Sequence, residues 1–151
     1  MKKALLLFSM VLVLTPVLSY GQNRQVEGVE AVKLPCFAAN NTIEFHLSSG
    51  LKKGKTYWFG EGFAQAYTSE TGAQLVVICS SKYRTPALQG KHYVVTSQDG
   101  KKREGKIRKT DYLWREEDFF GFIVYYTKVN EYEKELFDSL IDQIVALIKK
   151  E

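Results

Sequence analysis

The chain has 151 residues, with 21 Lys and Arg against 17 Asp and Glu. Lys2 and Lys3 belong to a predicted export signal, and without them the net charge falls from +4 to about +2. A charge so close to balance gives no general argument for a nucleic-acid partner or an anionic membrane. The remaining part, about 130 residues, is long enough for one domain with a hydrophobic core.

Residues 1–21 have the pattern of a signal peptide. Two lysines precede the apolar run Ala4–Leu14, and the small residue Gly21 suits signal peptidase. The run is shorter than the roughly 18 residues that span a bilayer, and Pro16 also counts against an uncleaved anchor. The short basic start is typical of bacteria. We therefore expect cleavage after Gly21, no membrane span in the mature chain, and a periplasmic or secreted protein.

Two cysteines, Cys36 and Cys79, follow the signal. Neither comes directly after the apolar run, so the sequence has no lipobox for lipoprotein processing. Disulfides persist in exported proteins, and this pair forms the one intrachain bridge available. Such a bridge would stabilise the fold by roughly 4 kcal/mol. The alternative is two free thiols, with Cys79 packed as a small apolar residue.

The pattern changes near residue 43. Residues 22–42 show little regularity and predict a loosely structured N-terminal arm, followed by a single α+β domain over 43–151. From Ile43 to Leu47 apolar and polar residues alternate, which indicates a half-buried strand. Further strands are predicted at Tyr57–Phe59, continuing past a bulge or bend at Gly60–Gly62, and at Leu75–Cys79.

A hairpin is predicted from Tyr93 to Lys109, with Asp99-Gly100 as its two-residue loop. In this register Lys102 faces Ser97, and the polar tip projects into solvent at a sheet edge. The basic residues of the hairpin also predict a contact for an acidic partner, although positive charges can simply protect an edge strand from aggregation. No aromatic residue for base stacking lies between Lys101 and Lys109, which together with export argues against nucleic acid. The candidate contact residues are Lys101, Lys102, Arg103, Lys106 and Arg108.

The last part of the chain predicts strands at 112–114 and 119–129 and a helix at 131–149. The acidic triplet Glu116-Glu117-Asp118 is interpreted as a solvated turn between the two strands. Asn130 and Glu133 form a capping box at the start of the helix. We therefore expect a mainly antiparallel sheet of five to seven strands, with one long C-terminal helix packed across one face.

The strand at 119–129 is apolar on both faces, which indicates that both are covered. The helix covers one face. Three alternatives remain for the other face: the N-terminal arm with the 80–90 connection, curling of the sheet around the helix, or a bound partner or ligand.

No catalytic motif stands out. His46 and His92 lie outside any nucleophile motif, and the cysteine and histidine spacing does not fit zinc. A glycosidase takes its carboxylates from different elements, whereas residues 116–118 are adjacent. We therefore expect no enzyme, no metal and no cofactor; a weak enzyme built on that triplet is the least favoured hypothesis.

The main functional hypothesis is an exported, non-enzymatic protein-binding or inhibitor-like module of the bacterial envelope. Its partner would be an unknown protein or an anionic envelope component. The alternative is a carrier of a small apolar ligand, held in an aromatic-lined cavity between the sheet and the helix. The candidate lining residues are Trp58, Phe122, Tyr126 and Phe137.

Overall fold

The fold is described from a computed structural model, which covers residues 30–36, 41–48, 50–80, 86–119 and 121–149. The predicted signal peptide at 1–21 lies outside these residues. The strands are β1 (Glu30–Cys36), β2 (Asn41–Leu47), β3 (Leu51–Phe59), β4 (Gly62–Ser69), β5 (Gln74–Cys79), β6 (Tyr93–Asp99), β7 (Lys102–Ile107), β8 (Leu113–Phe119) and β9 (Phe122–Val129), and the helix is α1 (Lys134–Ile148).

The predicted α+β fold is confirmed. Seven strands form an antiparallel sheet in the order β3-β4-β5-β9-β8-β7-β6, and β1 pairs with β2 in a second, smaller sheet. The two-sided apolar strand of the sequence, β9, is the middle strand of the large sheet. This central position explains why its residues are buried on both faces.

The face of the large sheet that carries Leu75, Val77, Val124 and Tyr126 is called the helix face. It is covered by α1, which packs against β9 and β2, and by the β1–β2 sheet. The Tyr126 ring meets the ring of Phe137 in α1 at 5.7 Å between centroids. The main hydrophobic core lies in this layer.

The predicted disulfide is present: Cys36 at the end of β1 is bonded to Cys79 at the end of β5. It ties the small sheet to the large one. Strand β1 lies within the segment that the sequence predicts to be a loosely structured arm. Val32, Leu34 and Cys36 alternate inward along it. Pro35 weakens the strand pattern in the sequence, but both strands of a two-stranded sheet are edges, where proline is tolerated.

The opposite face, called the strap face, carries a smaller apolar cluster of Val76, Ile78 and Ile123. Residues 86–90, called the strap, cross this face, with Ala87 packed on the cluster and Leu88 buried. The described end of the 80–90 connection, residues 86–90, therefore lies on the strap face, as one alternative proposed, whereas the small N-terminal sheet lies on the helix face.

Three local predictions are wrong. The acidic triplet is not a turn: β8 runs through it, and Glu116 and Glu117 are buried. Each of the two carboxylates is paired with an arginine, and this pairing makes its burial possible. A pattern of polar and apolar residues along the sequence does not show such pairing. The segment at Gly60–Gly62 is not a bulge in one strand, because Gly60 and Glu61 form the turn between β3 and β4.

The third correction concerns the β6–β7 hairpin, whose loop is Gly100-Lys101 rather than Asp99-Gly100. Lys102 pairs with Asp99, two residues from the predicted partner Ser97, because Gly100 takes the positive φ of 56° at the first loop position. The hairpin does not project alone, since β7 also pairs with β8. A Cβ at Gly105 would lie 1.8 Å from the Val94 carbonyl oxygen, so only glycine fits beside the irregular part of β6.

The helix begins three residues later than predicted. Asn130 and Glu133 still form reciprocal contacts: the Glu133 N–H donates to Asn130 Oδ1 at 3.0 Å, and the Asn130 amide donates to the Glu133 carboxylate at 2.6 Å. These bonds close a turn over 131–133 that leads into α1.

Candidate functional site

A pocket of about 320 Å³ opens on the helix face, where the β6–β7 loop meets the end of α1. It is called the lysine pocket. Lys102 lies opposite both Asp99 and Glu117 in the sheet register, which brings three strands to the pocket wall. Its lining residues are Asp99, Lys101, Lys102, Glu117, Phe119 and Lys149.

Phe119 organises two of the three ammonium groups. Lys101 Nζ lies 4.7 Å from the centre of its ring, and Lys149 Nζ lies 5.9 Å from it. Both distances fit cation–π attraction. The ring therefore holds two positive charges, from the loop and from the helix end, on one side of the sheet.

The remaining charges of the pocket are partly balanced. Lys102 Nζ lies 2.9 Å from the Glu104 carboxylate. Glu117 is paired with Arg115. Three lysines against Asp99 and Glu117 leave a local excess of one positive charge, so the pocket favours an anionic group.

A buried ionic network lies beneath the pocket. Arg115 is 4% exposed and donates to Glu117 and to two helix residues, Asp138 and Asp142. The Tyr126 hydroxyl also donates to Asp138, at 3.0 Å. The network joins β8 to α1, and because α1 runs along β8, Lys149 at its end reaches Phe119.

Burial and charge compete within this network. Burial disfavours the charged form of Arg115, but hydrogen bonds to the three carboxylates outweigh it and raise its pKa. At Asp138 burial favours the neutral form, yet hydrogen bonds from Lys134, Arg115 and Tyr126 hold its pKa below the usual value. The network is thus stable in its ionised state at neutral pH.

A second buried carboxylate lies on the strap face. Glu116 is 1% exposed, accepts the Leu88 N–H at 2.7 Å, and pairs with Arg103 at 3.0 Å. Arg103 also donates to the Leu88 carbonyl at 2.8 Å. Burial raises the pKa of Glu116, although the strap amides and Arg103 oppose this shift.

The structure separates the five basic residues predicted to contact a partner. Lys101 and Lys102 line the lysine pocket, and Lys106 and Arg108 are exposed at and beyond the other end of β7. Arg103 faces the strap and is bonded there. Four pocket residues are missing from the predicted set: Asp99, Glu117, Phe119 and Lys149. Phe119 and Lys149 are missing because no local pattern shows that the helix ends beside the hairpin loop.

The four candidate cavity residues do not surround one space. Phe122, Tyr126 and Phe137 are buried in the core, whereas Trp58 is 69% exposed on the edge strand β3. Three strand spacings, about 14 Å, separate Trp58 from Phe122 across the sheet.

The described residues contain no group of three or more His, Cys, Asp and Glu side chains that could hold a metal ion. His46 and His92 are both exposed. Within the same residues, no helix combines the length and apolar character needed to cross a membrane.

Compared with protein-family models, curated proteins and solved structures, the chain gives no match.

Proposed function

We propose that this chain is an exported, non-enzymatic binding module of the bacterial envelope. It is inhibitor-like in that it captures a protein partner by an acidic group placed in the lysine pocket. The convergence of Lys101, Lys102 and Lys149 around Phe119 carries the proposal. An anionic envelope component is the other source of the same chemistry.

The disulfide supports the location. Disulfides form and persist in oxidising compartments, and the bridge between Cys36 and Cys79 is compatible with an extracellular or periplasmic protein. The predicted signal peptide supports the same proposal from the sequence.

The pocket is better suited to contact than to catalysis. Its cations come from lysine side chains beside a ring, and Glu117 is engaged by Arg115. An acidic side chain of a partner would exchange water for two or three ammonium groups and gain apolar contact with Phe119. Such charge complementarity raises the association rate and selects against basic partners.

The carrier hypothesis has less support. Its proposed lining residues Phe122, Tyr126 and Phe137 fill the core, and the last two rings contact each other. A bound apolar ligand would have to displace this packing.

The test is site-specific photocross-linking in cells that export the protein. A cross-linking residue at position 99, which lines the pocket without replacing a lysine, should give a protein adduct that is absent when the same residue is at position 91. The adduct should be lost in high salt and in the variant Lys101→Ser/Lys149→Ser, but kept in the control Lys109→Ser/Lys128→Ser. Identical adducts at both positions would remove the pocket from the proposal. A small molecule in native mass spectrometry, without a protein adduct, would favour the carrier.

A further inference from the structure

The edge strand β3, which lies at the other end of the strand order from the lysine pocket, has features of a second binding surface. It spans Leu51–Phe59 and is the longest strand of the described residues. Within the part of the chain that the structure describes, β3 pairs with β4 on its inner side, and no strand pairs with its outer side. An open edge of this kind offers backbone N–H and C=O groups to another chain.

The strand has two chemically different halves, separated by a bulge between Lys53 and Thr56. The first half carries three exposed lysines: Lys52, Lys53 and Lys55. Lys52 lies 3.8 Å from Glu70, with both side chains 80% exposed, so this ion pair holds it only weakly.

The second half exposes aromatic side chains. Tyr57 is 58% exposed, and Trp58 is 69% exposed although its ring packs at 5.7 Å from Phe63. Lysines on an edge strand usually prevent pairing. Here they occupy one half alone, and the aromatic half has no such protection.

We propose that an extended acidic segment of a partner protein adds to β3 as a further strand. Main-chain hydrogen bonds would form along the open edge, as in other strand-addition complexes. Carboxylates of the segment would face the three lysines. Tyr57 and Trp58 point to opposite faces of the sheet, so an apolar residue on each face of the added strand would cover one of them. Charge complementarity favours an acidic partner, and the open backbone edge favours an extended polypeptide.

An anionic membrane is the nearest competitor, because lysines and exposed tryptophan also suit a lipid surface. Glu61, which is exposed in the turn directly after the aromatic half, opposes insertion of that turn. Lipids also make no use of a backbone edge. The observations therefore favour a polypeptide.

This surface is independent of the lysine pocket. Five strand spacings separate β3 from β7, which is about 24 Å across the sheet. One partner could bind both surfaces, but the proposal for either surface can be refuted without affecting the other.

The test uses the mature chain and synthetic peptides as long as β3. One peptide has glutamates in one half and valine and tyrosine in the other; a second has the reverse order, and a third has lysines in place of the glutamates. Trp58 is a direct reporter because the other tryptophan, Trp114, is buried. Amide hydrogen exchange in residues 51–59 reports whether the backbone edge is used.

We expect one acidic peptide to bind, to shift Trp58 emission to shorter wavelengths, and to slow exchange in β3. Charge reversal by Lys52→Glu/Lys53→Glu/Lys55→Glu should weaken this binding at least about tenfold. The matched control Lys91→Glu/Lys109→Glu/Lys128→Glu should change it much less. Trp58→Ala should also weaken binding while leaving the lysines in place.

Several results would overturn the proposal. These are no binding of either acidic order at millimolar concentration, equal binding of the lysine peptide, and binding without protection of β3. Lysine-dependent binding to phosphatidylglycerol vesicles without peptide binding would replace it with a membrane surface. The variant Lys101→Ser/Lys102→Ser/Lys149→Ser separates the two proposals, since it should abolish capture at the lysine pocket and leave binding at β3 intact.

Discussion

The two faces of the central sheet are closed by different means. The helix face is held by the disulfide, by the packing of α1 and by the Arg115 network. The strap face is closed by a short segment whose described polar contacts centre on Glu116 and Arg103. One closure is therefore distributed over many residues, whereas the described polar contacts of the other centre on two side chains.

This difference indicates where the molecule should open first. Loss of one contact on the helix face leaves the rest of the layer in place. Loss of Glu116 removes the acceptor of the Leu88 N–H and the carboxylate that pairs with Arg103, which would keep its bond to the Leu88 carbonyl. We expect the strap to unfold locally at lower cost than the small N-terminal sheet.

The largest expected effect comes from removing the disulfide. Cys36→Ala/Cys79→Ala should lower the unfolding free energy by about 4 kcal/mol in the chain-entropy model, because the bridge closes a long loop. Urea denaturation measures the loss, and amide exchange should rise in β1 and β2 but not in the strap. Equal increases on both faces would contradict the proposed division.

Arg115→Met should cost about 3 kcal/mol, because it leaves the carboxylates of Glu117, Asp138 and Asp142 without their shared cation. The value lies at the low end of the usual range because Asp142 can turn towards water, its side chain being 65% exposed. Thermal and urea unfolding provide the measurement. A loss below about 1 kcal/mol would show that the network does not hold α1 on the sheet.

Glu116→Ala should cost about 2 kcal/mol, because a buried amide and a guanidinium group lose their acceptor. The loss should appear as faster amide exchange in the strap, with β1 and β2 unchanged. Uniform acceleration across the sheet would argue against local opening.

The two faces should also respond oppositely to pH. Burial raises the pKa of Glu116, so its contribution to stability is full at low pH and falls as pH rises through its folded pKa. The pKa of Asp138 is lowered by its hydrogen bonds, so its contribution is present at neutral pH and is lost as pH falls through its folded pKa. Unfolding free energies of Glu116→Gln and Asp138→Asn, each compared with wild type from pH 3 to 7, should give slopes of opposite sign. Parallel slopes would contradict this assignment.

The smallest expected effect is that of Lys134→Ala, at most about 1 kcal/mol. Its ammonium group pairs with Asp138, but its side chain is 39% exposed and solvent screens the pair. A larger loss would place Lys134 within the essential part of the network.

Much of the fold was accessible from the sequence because apolar periodicity directly reflects burial. The alternation at Ile43–Leu47 and the wide apolar stripe of α1 both correspond to buried faces. Apolar periodicity did not predict the burial of the acidic residues of β8, since Glu116 and Glu117 are buried against arginines on opposite faces of the sheet. Periodicity records polarity, and it contains no information about which opposite charge lies nearby.

The candidate site was less accessible. Lys101 and Lys102 belong to a recognisable basic hairpin, but Phe119 and Lys149 join them only through the path of α1 along β8. Trp58 was assigned to a cavity because aromatic residues are usually buried, whereas its strand lies at the sheet edge. Edge position depends on strand order, which local sequence does not specify.

If the chain is exported as proposed, the position of the disulfide has a consequence for the order of folding. The chain between Cys36 and Cys79 contains β2, β3, β4 and β5, so every residue of this covalent ring precedes the middle strand β9 in the chain. When a chain emerges N-terminus first, the ring can close before β9 and α1 have left the translocation channel. The disulfide-bonded first half of the molecule would then be formed before the second half, and β9 and α1 would complete the core by packing against it.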